Sequence, residues 1–155
     1  RMSLSDAIID TIVWSDVEVL NGSGQELANS LRRFVQAETR EEVSSLWWEL
    51  EGVAFAQNTI YGGAVQTIEV MMAALADQPA DFLRPWIIEV VRFIITGASD
   101  ADPSLLRECM KKAEAGTWLL AAEVCQADAS EYREAVLEVL TLVDSRLATA
   151  VAVGR

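Results

Sequence analysis

Apolar residues recur every three or four positions along almost the whole chain, and no other feature constrains the fold as strongly. That period places them on one stripe of a helix, whereas a half-buried strand would need alternation, and β-branched alternation is nearly absent. Proline interrupts the rhythm at only three places, Pro79, Pro85 and Pro103. The spacing predicts a short helix over Leu4 to Val13, then a loop at Asn21-Gly22-Ser23-Gly24. A helix from about Gln25 to Gln36 carries Leu27, Leu31, Phe34 and Val35 on one face. Thr39 and Glu42 have capping-box spacing, so the next helix should begin at Arg40 and run to about Ala56. Its main stripe is Val43, Leu46, Trp47, Leu50, Val53 and Ala54. Trp48, Gly52 and Phe55 form an adjacent second stripe, as expected of a helix packed from two sides.

After a turn over Gln57 to Gly62, a helix is predicted from Gly63 to Ala76, ended by Asp77-Gln78-Pro79 because proline cannot continue the hydrogen-bond ladder. Another is predicted over Ala80 to Thr96, with Pro85 tolerated near its first turn and Gly97 closing it. Asp102-Pro103 pairs an N-cap with a proline at the first helical position, starting a helix that reaches Ala115. Gly116 breaks it before a segment from Trp118 to Cys125. Asp128 and Glu131 should cap a last long helix running to about Ala148. The reading is all-α: seven or so helices in one domain over residues 2–155.

One local pattern returns three times. Glu49, Glu89 and Glu138 each sit inside a dense apolar helix, with two bulky residues before the glutamate and one after. They are 40 and then 49 residues apart, which brackets the period of HEAT and armadillo repeats. Neither helix of such a pair can bury its apolar face alone, so stacking neighbours must do it. The pattern predicts a short α-solenoid of antiparallel helix pairs in a right-handed curved array.

The chain carries 24 Asp and Glu against 12 Lys and Arg, a net charge of −12 spread along its length. Such a surface repels phosphate backbones and anionic membranes, so nucleic-acid and membrane partners are disfavoured. Its plainer reading is that it keeps an apolar-rich chain soluble; its sharper reading is that it steers a basic protein partner. The longest apolar run, Trp86 to Ile95, is broken by Glu89 and Arg92 and falls short of the ~18 residues of a membrane span. The first residues lack the pattern of a secretory leader, and Arg1 ahead of Met2 places the expected natural start at Met2. The only cysteines, Cys109 and Cys125, lie among apolar residues, as expected of buried thiols in a reducing cytoplasm.

Histidine is absent, which removes the commonest general base and the commonest metal ligand. The glycines near Asn21 lack the spacing and lysine of a phosphate loop, and the two cysteines lack zinc spacing. Glu49, Glu51, Glu69 and Glu89 could approach one another if their helices stack, but di-metal carboxylate bundles also use Glu-x-x-His. The carboxylates read as solvated faces and intrahelical pairs such as Glu89 with Arg92. No enzyme activity, cofactor or metal is therefore expected. Of the five tryptophans, Trp14, Trp47, Trp86 and Trp118 are expected in the core. Trp48, on the second stripe with Phe55, is the candidate surface anchor. The candidate partner-binding set is Asp16, Glu18, Trp48, Glu49, Glu51, Phe55, Asn58 and Tyr61.

Part of this set lies in stretches with a family likeness. Asp10-Thr11-Ile12-Val13-Trp14-Ser15, Leu31-Arg32-Arg33-Phe34 and the run LWWELEGVAFAQNTIYGGAV (Leu46 to Val65) resemble a group of small bacterial HEAT-repeat proteins. That group shows an isoleucine–aspartate–tryptophan–serine type of opening and a loop reading roughly His-Gln-Gly-Thr-x-Tyr. Here the loop is Ala56-Gln57-Asn58-Thr59-Ile60-Tyr61, so a role tied to the histidine does not carry over. The likeness covers about the first half of the chain. It implies an α-solenoid with a protein-binding surface, similar to immunity proteins that neutralise a cognate toxin. A general interaction scaffold without a toxin partner is the alternative.

Overall fold

The computed structural model describes residues 2–56, 59–97 and 102–153. Nine α-helices occupy most of them: α1 (Leu4–Thr11), α2 (Gly24–Val35), α3 (Arg40–Leu50), α4 (Gly63–Ala76), α5 (Arg84–Thr96), α6 (Pro103–Glu114), α7 (Thr117–Gln126), α8 (Ser130–Val143) and α9 (Ser145–Val153). A 3-10 turn at Trp14–Asp16 follows α1. Two short strands, β1 (Phe55–Ala56) and β2 (Thr59–Ile60), pair antiparallel between α3 and α4.

Helix starts follow local chemistry. Ser23 and Glu26 close a reciprocal capping box at α2. Thr39 Oγ1 accepts the Glu42 N–H, while the Glu42 carboxylate reaches past the cap to the Glu38 N–H. Asp102 caps α6 through the Ser104 N–H, with Pro103 in the first turn. At the start of α2 the chain must be glycine: a Cβ on Gly24 would lie 1.8 Å from the Trp14 carbonyl oxygen.

Four boundaries differ from the sequence reading. α3 stops at Leu50 instead of Ala56. Gly52 adopts φ +87°, its N–H donates to the Phe55 carbonyl at 2.6 Å, and the chain folds back into the hairpin. Helical spacing had made Trp48, Gly52 and Phe55 look like one stripe, yet only Trp48 is helical. α5 begins at Arg84, after a turn in which the Leu83 N–H meets the Ala80 carbonyl. The expected cap by Asp128 and Glu131 does not form; Ala129 occupies the N-cap of α8 without a side-chain bond. The last helix is two, because Asp144 leaves helical geometry (φ −151°, ψ 89°) and its carboxylate accepts the Leu147 N–H at 3.0 Å, starting α9.

α4 is the centre of the molecule, packing against α1, α2, α5, α6 and α7. Its 14 residues carry one charge, Glu69, and are apolar almost all round, as a helix surrounded by others must be. Thr67, fully buried, returns its hydroxyl to the Gly63 carbonyl at 2.8 Å. Glu69 reaches Lys112 of α6 at 3.2 Å. At the other end of α4, Asp77 accepts the N–H of Leu4 (2.7 Å) and of Ser5 (2.9 Å) and the Ser5 hydroxyl (2.7 Å), fixing the start of α1.

Buried side chains from Ile9 to Ala148 form one continuous core. Its aromatic part joins α3, the hairpin and α5. Trp47 meets Phe55 with ring centres 5.5 Å apart, Phe93 at 5.6 Å and Trp86 at 6.3 Å. Trp14 is buried and donates its indole N–H to the Ile9 carbonyl. Trp86 packs on the core while keeping part of its surface in solvent. Farther along, α5 packs on α8, and Arg92 lies between Glu89 on its own helix and Glu138 at 3.9 Å. Cys109 is buried as expected, whereas Cys125 is exposed.

Candidate protein-interaction surface

The end of α3 carries the first part of the predicted site. α3 buries Val43, Leu46, Trp47 and Leu50, and the 100° step per residue turns Trp48 away from them. Trp48 is 68% exposed, whereas Trp47 beside it is 9% exposed. Glu49 points toward α2, where Arg33 meets it at 3.3 Å. Glu51 is half-buried and accepts the Trp47 indole N–H at 3.3 Å. Phe55 is a correction. It was expected on the surface stripe with Trp48, but the hairpin turns it inward, where it is fully buried against Trp47 and Phe93. Asn58 lies outside the described residues.

The second part lies on neighbouring backbone. The segment after the 3-10 turn is strapped to the region following α3: the Leu20 N–H meets the Val53 carbonyl at 2.9 Å and the Asn21 amide meets the Gly52 carbonyl at 3.0 Å. The Glu18 carbonyl accepts the Gly63 N–H at 2.8 Å, so this segment also satisfies the start of α4. Tyr61, half-buried, donates its N–H to the Ala54 carbonyl. Asp16 and Glu18 keep exposed side chains along a shallow cleft with Gly62, Gln66 and Glu108. The structure therefore gathers residues 16–21, 51–54 and 61–63 into one region. Of the residues flanking it, Glu49 faces α2 and Phe55 faces the core.

Trp118 is a second correction. α7 buries Leu120, Ala121, Glu123 and Val124, and residue 118 falls two positions, about 200°, from Leu120, on the opposite side of the helix. Trp118 is 76% exposed and borders a shallow cleft with Glu114, Val143, Asp144 and Arg146.

A polar constellation that the sequence reading passed over lies where the start of α5 meets the end of α7 and the start of α8. Glu123 is only 8% exposed. Its Oε1 accepts from Arg84 at 2.6 Å and from the Tyr132 hydroxyl at 2.7 Å. Asp81 approaches the other side of Arg84 at 3.5 Å. Burial, together with the hydrogen bond and charge of Glu123, pushes the Tyr132 hydroxyl far above its usual range, so it remains a donor. These groups floor a cleft of about 360 Å³. The available signal was Glu123 itself, a lone carboxylate inside the apolar run Trp118 to Cys125.

The four carboxylates that might have met one another instead have separate partners: Glu49 with Arg33, Glu51 with Trp47, Glu69 with Lys112 and Glu89 with Arg92. Among the described residues, no group of three or more Cys, Asp or Glu is placed to hold a metal ion, and no helix is long and apolar enough to cross a membrane. No family model, curated protein or solved structure matches the chain.

Proposed function

We propose that this chain works by binding a protein with a basic surface, in the manner of an immunity protein that neutralises a cognate toxin domain. The observation that carries the reading is Trp48, a large aromatic held in solvent on a helix whose next-door tryptophan is locked in the core. A tryptophan presented on a rigid element loses little entropy when it enters a partner's pocket, and buried aromatics dominate binding energy at interfaces. Glu49, Glu51, Asp16 and Glu18 surround it in sequence or lie on the adjoining strapped segment, where they would form an acidic rim. The net charge of −12 extends that field over the molecule. Within the same reading the helices form a short HEAT-like stack. Its support is Arg92, which lies between Glu89 and Glu138, two of the three recurring glutamates.

The test is capture from the native host with the wild-type chain and with Trp48→Ala as parallel baits. A protein retained by the first and lost by the second supports the reading. Its toxicity when expressed alone, relieved by this chain, would establish neutralisation. A retained protein without toxicity would favour the scaffold alternative. Equal retention by both baits would remove Trp48 from the interface.

A further inference from the structure

The cleft above Arg84, Glu123 and Tyr132 is lined by none of the Trp48-region residues and carries its own chemistry. We infer that it is a binding site for an alkyl chain ending in a cationic nitrogen, an ammonium or guanidinium group. Glu123 uses one oxygen for both of its protein donors; among the described residues no donor meets Oε2. Glu123 lines the cleft and keeps about a tenth of its side-chain surface in solvent. A carboxylate taken this far from water gains most from a donor that brings both an N–H and a positive charge.

The walls suit the rest of such a ligand. Pro85, Ala127, Ala129 and the Tyr132 side chain line the cleft beside the charged floor, offering apolar surface to an aliphatic stem. Asp128, exposed at the mouth, adds another carboxylate. With Asp81 and Glu123 that makes three negative groups against Arg84, whose guanidinium is already shared between two of them. The uncapped first turn of α8 would by itself attract an anion, but three carboxylates oppose one. The volume, about 360 Å³, lies at the lower end of the range for small-ligand pockets, roughly 300–1,000 Å³.

The experiment is a titration of the full-length ¹⁵N-labelled chain with n-butylamine and n-butylguanidine, followed by amide chemical shifts. Butanol and butyrate are the neutral and anionic controls. The expected result is a saturable response in the millimolar range, confined to amides of residues 81–86 and 123–132. Asp128→Asn, at an exposed position, should weaken it about threefold. Glu123→Gln, which keeps an acceptor and loses the charge, should weaken it about tenfold. If Glu123→Gln does not fold, Asp128→Asn alone decides the question. Two further ligands separate the sources of the cation. Tighter binding of Nα-acetyl-lysine methylamide than of agmatine assigns it to a protein side chain, and the reverse order to a free amine. Shifts that spread over the whole acidic surface without saturating would overturn the inference. So would butanol or butyrate binding as well as the amines, or both variants binding like the parent.

Discussion

Two adjacent tryptophans should respond very unequally to the same substitution. Trp47 is enclosed by Phe55, Phe93 and Trp86 and gives its indole N–H to Glu51. An aromatic side chain buries on the order of 150–250 Å². At about 25 cal/mol per Å² that is several kcal/mol, and the rings left around the cavity can collapse only in part. Trp47→Ala should therefore cost about 3–5 kcal/mol. In a chain of this size each kcal/mol lowers Tm by roughly 2–4 °C, so a fall of about 6–20 °C is expected. Trp48→Ala, at a largely solvated position, should stay within about 0.5 kcal/mol of the parent. Urea unfolding followed by far-UV circular dichroism measures both, with unchanged m-values as the check on two-state behaviour. A Trp48→Ala loss above about 2 kcal/mol, or a Trp47→Ala loss below about 1 kcal/mol, would mean that the face of α3 is assigned wrongly.

Asp77→Ala removes the acceptor for the first two N–H groups of α1 and should cost about 1–2 kcal/mol, with faster amide exchange confined to α1 and its contacts. A thiol reagent should modify Cys125 in the native protein and reach Cys109 only after unfolding; both reacting at one rate would contradict the burial of Cys109. Burial pushes the Cys109 thiol up from 9.0 to about 12, with the nearby Glu108 charge adding to it. Below about pH 9 the thiol is protonated folded and unfolded alike. Between about pH 9 and 12 only the unfolded state loses the proton, so stability should fall across that window in wild type and less steeply in Cys109→Ala.

The elements that were legible in the sequence are those whose signals are local. The start of α3 after Thr39, the start of α6 at Pro103 and the whole span of α4 from Gly63 to Ala76 follow from caps, a proline and a continuous apolar period. What could not be read depends on geometry that spacing does not carry. Gly52 fits a helical stripe as well as it fits a positive φ, and only the turn it makes puts Phe55 in the core. Asp144 falls between Val143 and Leu147, which keep helical spacing across it, so the break between α8 and α9 stayed hidden. Trp118 looked like core because tryptophan usually is, although the buried face of α7 begins at Leu120. Trp48 is exposed, but the stripe with Gly52 and Phe55 on which it was placed does not exist, because α3 ends at Leu50 and Phe55 is in the core. Glu123 gave a weak signal, because the meaning of a buried carboxylate lies in Arg84 and Tyr132, 39 and 9 residues away.

In the proposed binding mode an acidic rim steers a basic partner onto an aromatic anchor. Binding kinetics with the captured partner at roughly 0.05 and 0.5 M salt test it directly, because the Debye length falls between them from about 14 to about 4 Å. The association rate should be at least about tenfold slower at high salt. The dissociation rate should hardly change with salt but rise by an order of magnitude or more in Trp48→Ala. An association rate indifferent to salt, with a dissociation rate indifferent to Trp48, would refute steering and anchoring together.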